Sequence, residues 1–125
     1  MFKSKLNPQK IETMSNIPFQ TVNWEAIEKT EHKGETGTAN WQTIQLGGLR
    51  IRKVTYSKGY IADHWCQKGH IVHCLEGKFI SELESGEQVQ LSKGMTYIVS
   101  DNESSHRSIA ATGVELLIID GDFLK

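Results

Sequence analysis

The chain has 125 residues, near the commonest size of a single domain. Its formal net charge of −1 argues against a nucleic-acid binder, which would carry a basic face. Apolar residues make up 38 % and fall in short runs, none of which approaches a bilayer span.

The opening "MFKSKLNPQK" is basic but lacks the apolar core and small-residue cleavage site of a signal peptide. A loose tail is expected over residues 1–16, ahead of one domain over 17–125, with Met14 a second candidate for the start of translation. Two cysteines without an export signal suit a reducing cytoplasm, where thiols serve as ligands, catalysts or core filler. "NWEAIEKTEHKGETG" offers a short helix or single turn, with Asn23 as its cap and the glycines of "GETG" as its end.

From Trp41 onward the pattern is that of strands. "ANWQTIQLGG", "LRIRKVTYSKG", "YIADHWCQ", "HIVHCLEGKF", "ISELESG", "EQVQLSKG", "MTYIVSD", "HRSIAAT" and "VELLIIDGDFL" are rich in β-branched or aromatic residues and punctuated by glycine. "ESGEQ" is a hairpin signal, and Pro8 and Pro18 both precede this region. Many short strands at near-regular spacing predict an all-β sandwich or small barrel.

The stretch "ADHWCQKGHIVHCLEGK" holds three of the five histidines and both cysteines. If "HWC" lies in a strand, His64 and Cys66 share a face and Trp65 takes the other. After a turn at "QKG", His70, Val72 and Cys74 share one face of the next strand, with Ile71, His73 and Leu75 opposite. Pairing of the two strands would set His70 beside His64 and Cys66, and His106 in "SDNESSHRS" is a fourth donor. Imidazole with thiolate suits zinc, nickel, iron or copper better than magnesium or calcium. The bland alternative is a buried thiol and separate, ordinary histidines, since no CxxC-type signature is present.

This run resembles the first signature of the cupin superfamily. Gly59 takes its leading glycine, His64 and Cys66 its His-x-His pair, His70 its glutamate and Gly77 its closing glycine. Gly94 and His106 match the second signature. Its proline and inner glycine are missing, Asp101 and Glu103 standing nearby, and Ala110 sits where its asparagine would be. "DHWC", "EHKGETGTA" and "LLIIDGDFLK" are similar to a group of small cupins named for an Asp-His-Cys-Trp motif, so the likeness runs from Ile17 to Lys125. It implies a conserved β-barrel (a double-stranded β-helix), a homodimer, and a divalent transition metal on His64, Cys66, His70 and His106. Exchanging a carboxylate for a thiolate favours zinc or copper(I), with iron and nickel as alternatives.

Other residues carry weaker expectations. Trp65 is assigned to packing between sheets or at an interface, His73 to the wrong face, Cys74 to the core, with a Cys66–Cys74 disulfide a minor alternative. His32 is placed in a solvated loop. Tyr60 shares the parity of His64 and would line or fill the pocket, and Asp63 would turn the chain or hydrogen-bond a ligand imidazole. In "LRIRKV" the apolar Leu49 and Ile51 are expected inward, which puts Arg50 and Arg52 outside. With the parity reversed, the arginines would line the barrel and grip a carboxylate or phosphate. Three functions fit: a metal-dependent enzyme on a small polar molecule, a non-catalytic binder or sensor, and an interaction module with a vestigial pocket. A transcription factor is disfavoured, as neither a helix-turn-helix nor a basic patch is evident.

Overall fold

Nine strands form among residues 16–125, the part of the chain that the computed structural model describes. The tail expected over 1–16 lies outside that part except for Asn16. The strands are β1 (Thr30–Lys33), β2 (Thr38–Leu46), β3 (Leu49–Tyr56), β4 (Tyr60–Ile61), β5 (His70–Leu83), β6 (Gln88–Ser92), β7 (Thr96–Val99), β8 (His106–Ala110) and β9 (Val114–Gly121). Every pairing is antiparallel, along the path β1-β2-β3-β9-β5-β8-β4, with β6 and β7 joined to β5. The all-β expectation holds, and no helix among the described residues is long and apolar enough to cross a membrane.

The expected strands "HIVHCLEGKF" and "ISELESG" are one continuous strand, β5, and it curls the sheet into a barrel. Its first half pairs with β7 and β9, its second half with β6 and β8. A register shift between Cys74 and Glu76 separates the halves, and Gly77 follows at φ +83°. An extra residue of this kind bends a strand and sharpens its twist. The hairpin predicted at "ESGEQ" joins β5 to β6, with Gly86 at φ +97°.

The helix candidate is a single 3-10 turn, Trp24–Ala26, capped by Asn23, whose Oδ1 accepts from the Glu25 amide at 3.2 Å. Buried Gln42 fastens this turn to β2 by donating to the carbonyls of Trp24 and Ile27. β1 was not expected, because "TEHK" is polar throughout and every residue of it is exposed. His32 therefore sits on a strand, its ring stacked on Trp41 at 3.8 Å, and not in a loop.

The core lines the inside of the barrel. Val54 and Tyr56 of β3, Val72 and Cys74 of β5, and Leu116 and Ile118 of β9 are buried there. Because sides alternate along a strand, Arg50 and Arg52 share the inward face with Val54 and Tyr56, contrary to the outward placement expected of them. Two causes set that parity. Tyr56 and Val54 are the bulkier apolar requirement of the core, and Asp120, directly opposite Arg50 on β9, supplies the counter-charge. On the outer face, Ile44, Ile51, Ile119, Ile71 and Ile98 pair in succession across β2, β3, β9, β5 and β7. Ile98 ends this row 69 % exposed.

Leu116 is wholly buried at the centre of the inner face. Leu116→Ala is expected to lower unfolding stability in urea by about 2–5 kcal/mol. A loss below about 1 kcal/mol would place the core elsewhere.

Candidate metal centre

The chain leaves the sheet after Ile61, and residues 62–69 form a loop over one end of the barrel, not the strand expected of "YIADHWCQ". Two hydrogen bonds pin the loop at its middle: the Cys66 amide donates to the His106 carbonyl at 2.8 Å, and the His106 amide to the Cys66 carbonyl at 3.0 Å. Gly69 then passes so close to the 100–102 turn that a Cβ on it would lie 2.6 Å from the Asp101 nitrogen. Its amide donates to Asp101 Oδ1 at 2.6 Å. The loop thus delivers Cys66 to the start of β8 and the chain to His70 at the start of β5.

Cys66, His70 and His106 each offer one donor atom, and the three atoms lie within 4.8 Å of one another. Cys66 Sγ and His70 Nε2 are 3.3 Å apart. Both imidazoles are held from behind. His70 Nδ1 is 3.0 Å from Asp120 Oδ2, and His106 Nδ1 is 2.9 Å from the Ser104 carbonyl. A carboxylate and a carbonyl only accept, so each Nδ1 carries a proton, and each ring turns its Nε2 toward Cys66 Sγ. His106 Nε2 is buried with no hydrogen-bond partner among the described residues.

That orphaned nitrogen, the two fixed tautomers and the thiol make a donor set that fits a divalent transition metal. Zinc–sulfur and zinc–nitrogen bonds near 2.3 and 2.0 Å in tetrahedral geometry put their donors about 3.5 Å apart. Imidazoles backed by a carboxylate or carbonyl are the usual supporting arrangement of such ligands.

The expected four-residue set divides. His64 lies outside the group: its side chain is 76 % exposed at the cavity rim, and its Nδ1 meets Asp63 Oδ1 at 2.6 Å. Strand alternation had aligned His64 with Cys66, and the loop removes that alternation. Asp63 accordingly holds His64 and none of the three clustered residues. Trp65 is 40 % exposed with the Arg107 guanidinium 4.9 Å above its ring, so it does not pack between sheets. His73 is on the outer face, against Thr96, and Cys66 and Cys74 are both free thiols. Tyr60 does enter the cavity wall, stacked on Tyr56 at 4.3 Å.

Sequence reasoning passed over Asp120. It is 1 % exposed and receives Arg50 Nε and Nη2, both at 2.9 Å, Arg52 Nη2 at 3.1 Å, and His70. Burial alone would raise its pKa, but the hydrogen bonds of Arg50 and the charges of Arg52 and Arg50 hold it below the ordinary carboxylate value. The signal was available: Asp120 is the single charge on the inward phase of "VELLIID", opposite a strand with two arginines.

Burial likewise opposes ionisation of Cys66, yet its interactions with His106 and His70 outweigh that and bring the thiol from 9.0 down to about 5. Burial pulls the His106 imidazolium down, and the neighbouring thiolate overturns that, leaving its pKa raised. Beside the three donors opens a cavity of about 240 Å³, walled by Arg50, Arg52, Trp41, Tyr56, Tyr60 and Phe79 among others.

No family model matches the chain, and no curated protein matches it. Solved structures do. An RmlC-like cupin from Shewanella frigidimarina aligns with a TM-score of 0.67 at 19 % identity, over 83 % of this chain and 91 % of that one. A predicted oxalate decarboxylase from Thermotoga maritima aligns at 0.69 and 14 %, over 82 % and 99 %. The fold is that of the cupins. Ectoine synthase from P. lautus, at 0.63 and 21 % over 81 % and 76 %, shows how varied the activities on this cupin frame are.

In metal-free protein, alkylation of Cys66 by iodoacetamide should rise with pH around a midpoint near 5, the thiolate being present above it and lost below. His106→Gln should move that midpoint upward. A midpoint left near 9 in the parent would contradict the cluster as drawn.

Proposed function

We propose that this cupin holds a divalent transition metal on Cys66, His70 and His106 and binds a small polar molecule in the adjoining cavity. The observation that carries the reading is the buried, unpartnered Nε2 of His106, beside Cys66 Sγ and His70 Nε2. Zinc is the first choice for one thiolate and two imidazoles, with iron, nickel or copper as alternatives. Three protein donors leave one coordination position for a water or ligand, the pattern of reactive rather than structural sites. When bound, the metal supplies Lewis acidity at that position. Asp120 fixes the ring of His70, Ser104 fixes that of His106, and the aromatic wall limits water.

A non-catalytic binder or sensor is the second reading, and one observation favours it. Among the described residues no aspartate or glutamate lines the cavity, so proton transfer would fall to His64 at the rim or to buried phenols. Burial holds the Tyr97 and Tyr60 phenols well above their ordinary pKa, which makes them poor bases. Membership of the Asp-His-Cys-Trp group stays part of this proposal, resting on "DHWC" and the phrases that accompany it.

Cobalt(II) titration tests the centre. One equivalent should bind and give a thiolate-to-metal charge-transfer band that Cys66→Ser abolishes. His106→Ala should lose the metal, while His64→Ala should retain one equivalent. Asp120→Asn should weaken affinity about 10–100-fold. Retention by Cys66→Ser/His70→Ala would overturn the assignment.

We also infer a homodimer, in which two copies pair their outer isoleucine rows across a two-fold axis. The support is the row itself, five residues across five strands with Ile98 exposed. Light scattering should give the dimer mass at micromolar concentration. Ile98→Lys should give the monomer with metal stoichiometry unchanged, and a monomeric parent would refute the pairing.

A further inference from the structure

The cations around the cavity are not evenly compensated. Among the described residues its wall includes Arg50, Arg52, Lys68 and Arg107 and no aspartate or glutamate. Lys68 is offset from outside the wall by Asp101 at 3.8 Å, and Arg107 by Glu82 at 2.8 Å and Glu35 at 3.8 Å. Arg50 and Arg52 share a single carboxylate, Asp120. Over the whole wall the four cations meet four carboxylates, but at this pair two guanidiniums meet one, so one of the two lacks a carboxylate of its own.

That charge sits where water cannot easily reach it. The Arg52 side chain is 6 % exposed, and the Trp41 ring covers its guanidinium with the centroid 4.4 Å from Cζ. Arg50 commits its Nε and Nη2 to both oxygens of Asp120, whereas Arg52 makes one bond, from Nη2. Its Nε is buried without a partner among the described residues. Arginine does not shed its proton to escape such a position, and a buried, half-compensated guanidinium is unfavourable until an anion joins it. The thiolate of Cys66 does not serve, because it faces His70 and His106, and a divalent ion there would more than cancel it.

We propose that the cavity takes a small organic monocarboxylate, held by Arg52 with Arg50 behind it, its apolar body against Trp41, Tyr56 and Phe79. This names the ligand class for the small-molecule cavity proposed above and rests on that reading. A planar carboxylate matches the guanidinium fork of Arg52. A phosphate would bring no apolar body for the aromatic surface. Arg52 and His70 grip the same oxygen, Asp120 Oδ2, so the bound carboxylate would lie next to the metal position.

The test titrates the full chain, with and without one equivalent of zinc, with benzoate, butyrate, inorganic phosphate and the neutral benzamide. Heat and the nitrogen-15 signal of the Arg52 Nε–H group are followed together. Benzoate or butyrate should bind at least about tenfold tighter than benzamide and shift the Arg52 signal. Arg52→Gln should erase that preference, and Arg52→Lys should keep part of it. The comparison of benzoate with benzamide on the parent protein needs no variant to fold. Equal binding of the two, a stationary Arg52 signal, no carboxylate binding at millimolar concentration, or tighter phosphate binding would each overturn the proposal. Carboxylate binding without zinc binding would support it while overturning the metal reading.

Discussion

The carboxylate of Asp120 is the constraint on which the rest of the barrel interior depends. It is buried on β9, accepts three hydrogen bonds from arginines on β3 and one from His70 on β5, and so ties three neighbouring strands together. A lone buried carboxylate would be too costly to ionise, and so would the buried guanidinium of Arg52, so neither is tolerable without the other. Once together they fix the inward phase of β3 and β9. They also hold the His70 ring with Nδ1 protonated and Nε2 turned to Cys66. One network therefore links strand register, side-chain parity and the orientation of a metal-ligating imidazole.

The second constraint is the pair of backbone hydrogen bonds between Cys66 and His106. A thiol on an unanchored loop would sample many positions, and the ordering would have to be supplied on metal binding. Here the loop is tied at Cys66, again at Asn102 through Gln67 and again at Gly69 through Asp101, so the thiol is delivered to the ligand position in advance. Such preorganisation is what distinguishes a centre from a coincidence of reactive side chains.

Much of this was legible in the residues. The β-branched runs, the glycine punctuation and the two signature-like stretches led to the right fold, because strand propensity and turn chemistry are local. Parity within β5 placed His70 inward and His73 outward correctly, since that strand is regular through Cys74. Parity failed where regularity failed: His64 was aligned with Cys66 across a segment that leaves the sheet. It failed differently in "LRIRKV", where hydrophobicity ranks Leu49 and Ile51 above two arginines. The deciding partner, Asp120, lies about seventy residues along the chain. Strand β1 was missed because none of its residues is buried, which leaves no apolar signal to find.

The account's central claim is that two histidines, each locked by its Nδ1 proton, turn Nε2 to a metal shared with one thiolate. Nitrogen-15 spectra of the imidazoles in zinc-loaded protein address it directly. The account predicts Nδ1 protonated and Nε2 metal-bound in His70 and His106, with no metal bond to His64, His73 or His32. Coordination through Nδ1 of either ring, or by His64 as a third imidazole, would contradict it.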